Sequence, residues 1–145
     1  MKKILLTLAI AITTLSSFAN QPDVDPKVLE SFNTEFATAK EVSWTAATDY
    51  YKAEFTFNGQ RVNAFYNKEG ELLGLTRYIT SPDLPLALQA GLKRSYADYW
   101  ISDLFEVTKS NSTTYYITVE NADTQIILKA SPEENWSVYK KTKKA

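Results

Sequence analysis

Few residue pairs in this 145-residue chain have a spacing suited to chemistry. Ser137 and Lys140 stand three residues apart, which is the Ser-x-x-Lys spacing of serine acyl-enzymes. That chemistry needs a helix, on which the two side chains share a face. The alternation of residue types around them instead predicts a strand, on which they would point to opposite sides. We therefore expect no acyl-enzyme chemistry from this pair.

Acidic residues also occur in pairs along the sequence. Glu69 and Glu71 flank Gly70, and Glu133 is followed directly by Glu134. Two carboxylates can act as acid and base only where a cleft raises the pKa of one of them. Both pairs lie in predicted turns, where acidic side chains are solvated.

Histidine and cysteine are both absent from the chain. Their absence excludes Ser-His-Asp and Cys-His catalysis, imidazole and thiolate metal sites, disulfides, and the lipid-modified cysteine of a lipoprotein. The four glycines are scattered and form no phosphate-binding loop, which disfavours nucleotide cofactors. We expect a protein that is not an enzyme and that uses neither a cofactor nor a metal.

The first nineteen residues have the pattern of a bacterial export signal. Lys2 and Lys3 precede an apolar run over 4–15, and a Ser-Phe-Ala tripeptide ending at Ala19 suits a signal peptidase. The run is shorter than the ~20 apolar residues of a membrane-spanning helix. Cleavage is expected between Ala19 and Asn20. The sequence thus predicts a periplasmic or secreted protein that is not a lipoprotein.

Charge gives little reason to expect a polyanionic partner. Removing Lys2 and Lys3 with the signal would change the net charge from −1 to −3. The remaining charges are mixed in sign, apart from the basic segment 140–144. We therefore predict no nucleic-acid partner and no stable attachment to a membrane.

Two helix-start signals divide the rest of the chain. Asp25 before Pro26 is an N-cap with proline in the first helical position, and Asp83 is expected to cap a second helix. Asp23 and Asp25 together could ligate calcium, but that ion needs about six to eight oxygens. Apolar residues at helical spacing give the first helix one buried face; they are Val28, Leu29, Phe32 and Phe36.

After each predicted helix the apolar residues alternate with polar ones, which is typical of half-buried strands. Asn58 and Gly59 are the strongest hairpin signal, because both positions of that turn need a positive φ. The polar segment 109–113 predicts a longer loop at the corresponding place in the second half.

These elements predict an α+β fold that repeats one helix plus a four-stranded antiparallel sheet in tandem, with the helices on one face. If the two repeats join side by side, they form one long sheet with both helices behind it and a broad face in front that is open to solvent. The predicted organisation is a signal peptide over 1–19 followed by two repeats that form one compact domain. The first repeat covers 20–80, with a helix at about 26–38 and strands at about 41–78. The second repeat covers 81–145, with a helix at about 84–97 and strands at about 99–141.

Several segments follow one another in a distinctive order: Phe36, 42–44, 51–55, Asn58-Gly59, 64–73, Leu84-Pro85 and Tyr96. This order resembles that of the PepSY-like proteins, which are exported bacterial proteins with a fold similar to the β-lactamase inhibitor protein. The resemblance covers about 33–141 and implies PepSY-like repeats of helix plus sheet with a binding role. PepSY domains occur in protease propeptides with a proposed inhibitory role, and the inhibitor relatives grip an enzyme with the open face of the sheet.

Strand alternation also predicts which side chains line the open face. Aromatic rings among charged side chains are typical of protein-binding surfaces, although cross-strand aromatic pairs can also simply stabilise a sheet. The predicted binding residues are Tyr50, Lys52, Glu54, Arg61, Phe65, Arg77, Tyr78 and Tyr116.

The predicted function is that of an exported, non-catalytic protein that binds a protein or peptide of the cell envelope through this face. Inhibition or regulation of an envelope enzyme is one such role. The alternative is a carrier that holds a small amphipathic ligand between helices and sheet, in an apolar cavity of ~300 Å³ or more.

Overall fold

The computed structural model describes residues 22–145, so the predicted signal peptide lies outside the described residues. Within them the chain forms two α-helices, eight strands and a 3-10 turn at Ser81–Asp83. The elements are α1 (Pro26–Glu35), β1 (Lys40–Ala46), β2 (Tyr51–Phe57), β3 (Gln60–Tyr66), β4 (Leu72–Tyr78), α2 (Leu86–Ser95), β5 (Trp100–Lys109), β6 (Ser112–Glu120), β7 (Thr124–Ala130) and β8 (Ser137–Lys143).

All eight strands belong to one antiparallel sheet whose spatial order follows the chain from β1 to β8. The predicted fold class, a tandem repeat of one helix plus a four-stranded sheet, is therefore wrong. β4 and β5 pair with each other from Leu75 opposite Thr108 to Tyr78 opposite Phe105. Two separate sheets would leave the backbone groups of these strands unpaired along their edges, and pairing β4 with β5 satisfies them.

Both helices cover the same side of this sheet. Ala64 in β3 is buried in the core beneath α1 and pairs with Leu75, which in turn pairs with Thr108. Leu104 lies four residues before Thr108 on the regular part of β5, so it points to the same side, where it packs in the core beneath α2. The opposite side of the sheet is the open face.

The first of two apolar clusters packs α1 against β1, β2 and β3. Phe32 is its centre, with ring centroids 5.2 Å from Trp44 and 4.9 Å from Phe55. Edge-to-face pairs of this kind add stability beyond the burial of the rings. Tyr66 is fully buried, and its hydroxyl donates to the Glu35 carboxylate at the end of α1 at 3.3 Å.

The second cluster packs α2 against β5, β6 and β7. Leu88 on the helix is buried against Ile117 and Leu128 of the sheet. Trp136 covers its margin and donates its indole N–H to the Leu88 carbonyl at 2.9 Å. This bond fixes the segment before β8 to the helix.

A pair of charged residues separates the two clusters on the helix-covered side. Register places Val62, Arg77, Glu106 and Tyr115 in one row across β3 to β6. Val62 belongs to the first cluster and Tyr115 to the second, while Arg77 and Glu106 form an ion pair between them. The sheet is continuous, but its apolar core is not.

The two helix starts differ from each other. Asp25 caps α1 as predicted, since its Oδ1 accepts from the Lys27 N–H at 2.9 Å. The prediction that Asp83 caps the second helix is wrong. Its carboxylate accepts from the backbone N–H and hydroxyl of Thr80, which lowers the pKa of Asp83. α2 begins three residues later at Leu86, because Pro85 at its N-cap fixes the chain direction there.

Of the two hairpin turns predicted from the sequence, one is confirmed and the other is wrong. Asn58 and Gly59 form the predicted two-residue turn, with φ of 50° and 78°. The longer loop predicted over 109–113 is wrong, since only Ser110 and Asn111 separate β5 from β6. Their φ values of 49° and 62° suit a tight hairpin, in which asparagine tolerates the left-handed conformation.

Candidate functional site

Four aromatic rings form a continuous row on the open face, which we call the aromatic tract: Tyr78, Phe105, Tyr116 and Tyr139. Tyr78 pairs with Phe105 across β4 and β5, and their ring centroids are 6.2 Å apart. Phe105 pairs with Tyr116 and stacks on it at 5.4 Å. Tyr139 of β8 meets Tyr116 edge-on at 5.6 Å. The tract therefore reaches from the middle of the sheet to its last strand.

The two ends of the aromatic tract are its accessible parts. The side chains of Tyr78 and Tyr139 are 68% and 63% exposed. Phe105 and Tyr116 lie between them and are half-buried. A partner would thus meet the two outer rings first, with the inner rings holding them in place.

A smaller aromatic pair lies on the same face of the first half of the sheet. Tyr50 packs on Phe65 with ring centroids 5.7 Å apart, and Lys52 is the cross-strand partner of Phe65. Nearby, Arg61 donates to the Glu54 carboxylate at 3.3 Å. This exposed ion pair contributes little to folding, so it is available to a partner.

The structure places seven of the eight predicted binding residues at the open face; they are Tyr50, Lys52, Glu54, Arg61, Phe65, Tyr78 and Tyr116. Arg77 was placed there wrongly. It pairs with the buried Val62 and with Glu106, so it lies on the helix-covered side. Neighbouring residues of a regular strand point to opposite faces, so Arg77 cannot share the face of Tyr78.

Arg77 has a structural role in its actual position. Its Nε donates to the Glu106 carboxylate, and its Nη1 donates to the Gln60 side chain. The bond to Glu106 raises the pKa of Arg77, and burial together with the Glu106 charge raises the pKa of Tyr115. Arg77 therefore holds β3, β4 and β5 together between the two clusters.

Sequence reasoning missed Phe105 and Tyr139. Phe105 follows the buried Leu104, so strict alternation along β5 would have placed it on the open face. Tyr139 carries no such signal. A bulge in β8 sets Val138 opposite Leu128 but Lys140 opposite Ile127, and the position of a bulge is not encoded in the alternation.

The same bulge corrects the prediction for Ser137 and Lys140. Ser137 pairs with Lys129 and Lys140 pairs with Ile127, so the two residues share the open side instead of pointing to opposite sides. The Ser137 hydroxyl donates to the Lys129 carbonyl at 3.2 Å, and both members of the pair are exposed on a strand. This arrangement is a solvated surface without the cleft that acyl transfer requires.

Two clefts adjoin the helix-covered side. One of about 230 Å³ lies beside the end of α2, between Leu92, Tyr96 and Ile101. The other, of about 220 Å³, lies above the Arg77 and Glu106 pair. Both are smaller than the ~300 Å³ expected of a small-ligand site, and both open to solvent. Two larger depressions, of about 340 Å³ and about 420 Å³, lie beside Ser81 and Asp103 and beside Asn111 and Pro132.

Two further properties concern residues 22–145. Neither helix in that range is long and apolar enough to cross a bilayer. The same range contains no group of three or more acidic residues placed to hold a metal ion.

Solved structures with the same fold come from species of Bacteroides. A BLIP-like protein of Bacteroides fragilis, where BLIP denotes the β-lactamase inhibitor protein, is 16% identical with a TM-score of 0.73 over 88% of this chain and 91% of its own. A DUF2874 family protein of Bacteroides ovatus is 20% identical, with a TM-score of 0.74 over 84% and 89%. A Bacteroides eggerthii protein, provisionally described as periplasmic, is 16% identical, with a TM-score of 0.74 over 84% and 90%.

These similarities establish the fold. The chain has the BLIP-like fold that the sequence resemblance implied, while the PepSY-like part of that resemblance is not confirmed. No protein-family model matches the sequence, and no curated protein matches it significantly.

Proposed function

We propose that this chain, which has the BLIP-like fold, is an exported and non-catalytic binding protein whose partner is a protein or peptide of the cell envelope. The observation that carries the proposal is the aromatic tract, whose two end rings are exposed on the face that the two helices of residues 22–145 leave uncovered. Exposed tyrosines held by neighbouring rings lose little conformational entropy on binding, which makes them suitable anchors for a partner.

The export signal predicted over 1–19 supports a location outside the cytoplasm. A protein of the same fold that is provisionally described as periplasmic supports the periplasm in particular. Inhibition or regulation of an envelope enzyme is a role that binding through this face would serve.

The test is a double substitution of the two exposed rings, Tyr78→Ala and Tyr139→Ala. The mature protein carrying a cross-linker is added to its native envelope fraction, and captured proteins are quantified by mass spectrometry. We expect a saturable partner of the wild-type protein to be lost from the double variant. Exposed positions tolerate truncation, so the urea midpoint should change little.

Leu86→Ala provides the matched control. Leu86 is 81% exposed, but it lies on α2, on the helix-covered side. The control should capture the partner as well as the wild-type protein does. Equal capture by the double variant and the wild type would reject the proposal.

A further inference from the structure

In the described part of the chain, β8 is an edge strand whose outer side is uncovered. It pairs with β7 on one side, and no other strand of residues 22–145 pairs with its second side. All seven of its residues, Ser137–Lys143, are exposed. An edge of this kind presents backbone N–H and C=O groups to which another extended chain can bind.

The edge is strongly basic in a chain whose net charge is −1. β8 contains Lys140, Lys141 and Lys143, β7 contains Lys129, and neither strand contains an acidic residue. No carboxylate among the described residues lies within 4 Å of these four ammonium groups, whereas Lys144 just beyond the strand pairs with Glu120 at 2.9 Å. The positive charge of β8 is therefore not neutralised within the described fold.

The edge also carries apolar side chains. Val138 is 57% exposed, and Tyr139 is the outer end of the aromatic tract. Lysines alone would protect an edge strand from pairing, but an exposed valine and tyrosine on the same strand work against such protection. The combination suits a partner that brings both negative charge and apolar contact.

From this edge we infer that the partner's binding segment is an extended acidic peptide that pairs with β8 as a ninth strand. This inference rests on the proposed function and names the chemistry of the partner. The carboxylates of the segment lie against Lys140, Lys141 and Lys143, and its apolar side chains lie against Val138 and Tyr139. Backbone pairing supplies affinity, and the lysines select the charge of the partner.

The test uses a fluorescein-labelled ten-residue peptide that repeats Glu-Glu-Val-Val, which places carboxylates on both faces of an extended chain, as Lys140 and Lys141 require. A counterpart has lysine in place of glutamate. Fluorescence anisotropy with the mature protein should show saturable binding of the acidic peptide only, weakening as salt is added. The triple variant Lys140→Gln, Lys141→Gln and Lys143→Gln should bind it about tenfold more weakly, as three exposed charge contacts predict.

A matched variant with Lys27→Gln, Lys40→Gln and Lys93→Gln removes the same charge from α1, the opposite edge strand β1 and α2. It should change the affinity less than about twofold, because these lysines lie outside β8 and its partner strand β7. Both triple variants are exposed substitutions, and equal urea midpoints will show that both fold. An equal loss of affinity in the two variants would overturn the inference, since net charge alone would then explain binding.

Backbone pairing is tested separately from charge. Two versions of the acidic peptide are prepared, one N-methylated at its odd-numbered backbone amides and the other at its even-numbered ones. Each version lacks the N–H donors along one edge of the extended peptide. We expect at least one version to lose binding. Undiminished binding of both versions would overturn the strand-pairing inference. Absence of peptide binding would also overturn the inference. One such outcome is that the β8 lysines are required only for binding to phosphatidylglycerol vesicles.

Failure of this inference can be distinguished from failure of the proposed function. If the acidic peptide does not bind while the Tyr78 and Tyr139 double variant still loses its envelope partner, the open face is a binding site and the partner is not an acidic strand. If the double variant keeps its partner, the proposed function fails, whatever the peptide does.

Discussion

Tyr66 shows how one side chain links the fold to pH. Its ring is fully buried under α1, and its hydroxyl donates to the Glu35 carboxylate. Burial, followed by the charge and the hydrogen bond of Glu35, raises the pKa of Tyr66 well above its ordinary value near 10. The folded protein therefore keeps a proton that the unfolded chain releases at high pH.

We predict that the free energy of unfolding falls as the pH rises above about 10. A raised pKa in the folded state gives stability that is fully present below the pKa of the unfolded chain and is lost above it. Tyr66 alone should cost about 1.4 kcal/mol between about pH 9 and about pH 11. Urea unfolding at a series of pH values measures this change.

Tyr66→Phe is the control, because phenylalanine keeps the ring and cannot ionise. The variant should lose some stability near neutral pH with the hydrogen bond, and its stability should then fall less steeply at high pH. Parallel pH profiles of the two proteins would show that another group causes the loss.

Side-chain direction was predictable wherever a strand is regular. Alternation placed Phe65 and Tyr116 correctly, and it would also have placed Phe105. The error at Arg77 came from setting it on the same face as its neighbour Tyr78, which a regular strand forbids. A guanidinium on the helix-covered side is unexpected from the sequence. The register explains it, because it places the Glu106 carboxylate beside Arg77 and so neutralises the charge.

At the scale of elements, α1 depends on its cap. Asp25→Ala should destabilise the protein by about 1 kcal/mol, because the Lys27 N–H loses its acceptor at the helix start. Asp25→Asn should restore most of the loss, since asparagine is also a good cap. Thermal or urea unfolding of the two variants measures the difference.

Asp23→Ala is the matched control for the cap. Asp23 is exposed two residues earlier, and the structure gives it no bond to the helix, so its removal should change the unfolding midpoint very little. A midpoint that rises on addition of calcium, and does so only when both aspartates are present, would show that they bind the ion instead.

Element boundaries could be predicted where a local residue determines them. Asp25 with Pro26 fixes the start of α1, and Asn58 with Gly59 fixes the turn between β2 and β3. The start of α2 could not be predicted in this way, because Asp83 bonds to Thr80 instead of to the helix. The bulge that turns Tyr139 to the open face depends on pairing with β7, which is tertiary information.

At the scale of the whole molecule, one sheet joins two apolar clusters. Trp44 belongs to the first cluster and Trp136 adjoins the second, so the two indoles report on separate halves. The ladder between β4 and β5 and the Arg77 ion pair connect these halves. We predict that both indoles change their fluorescence at the same urea concentration.

The measurement needs two variants with a single tryptophan each. Trp100→Phe with Trp136→Phe leaves Trp44, and Trp44→Phe with Trp100→Phe leaves Trp136. In each variant the fluorescence midpoint should coincide with that of far-UV circular dichroism. A fluorescence midpoint that precedes the circular dichroism midpoint in either variant would show that the halves unfold separately.

The sequence left undecided whether the two halves join into a single sheet. Alternation shows that β4 and β5 are strands, but it does not show that they are neighbours, because a helix and a turn stand between them in the chain. Their pairing depends on the unpaired backbone groups along the free sides of β4 and β5. The structure shows this pairing, with Leu75 opposite Thr108.

The strictly sequential strand order has a consequence for how the sheet assembles. Each strand hydrogen-bonds only to the strands that precede and follow it in the chain, so every closure spans a short loop or one helical connection. Short closures cost little chain entropy, and folds rich in them reach the native state quickly. A polypeptide that emerges gradually from a narrow channel, as the proposed export requires, therefore forms one hairpin after another without waiting for its carboxyl-terminal half.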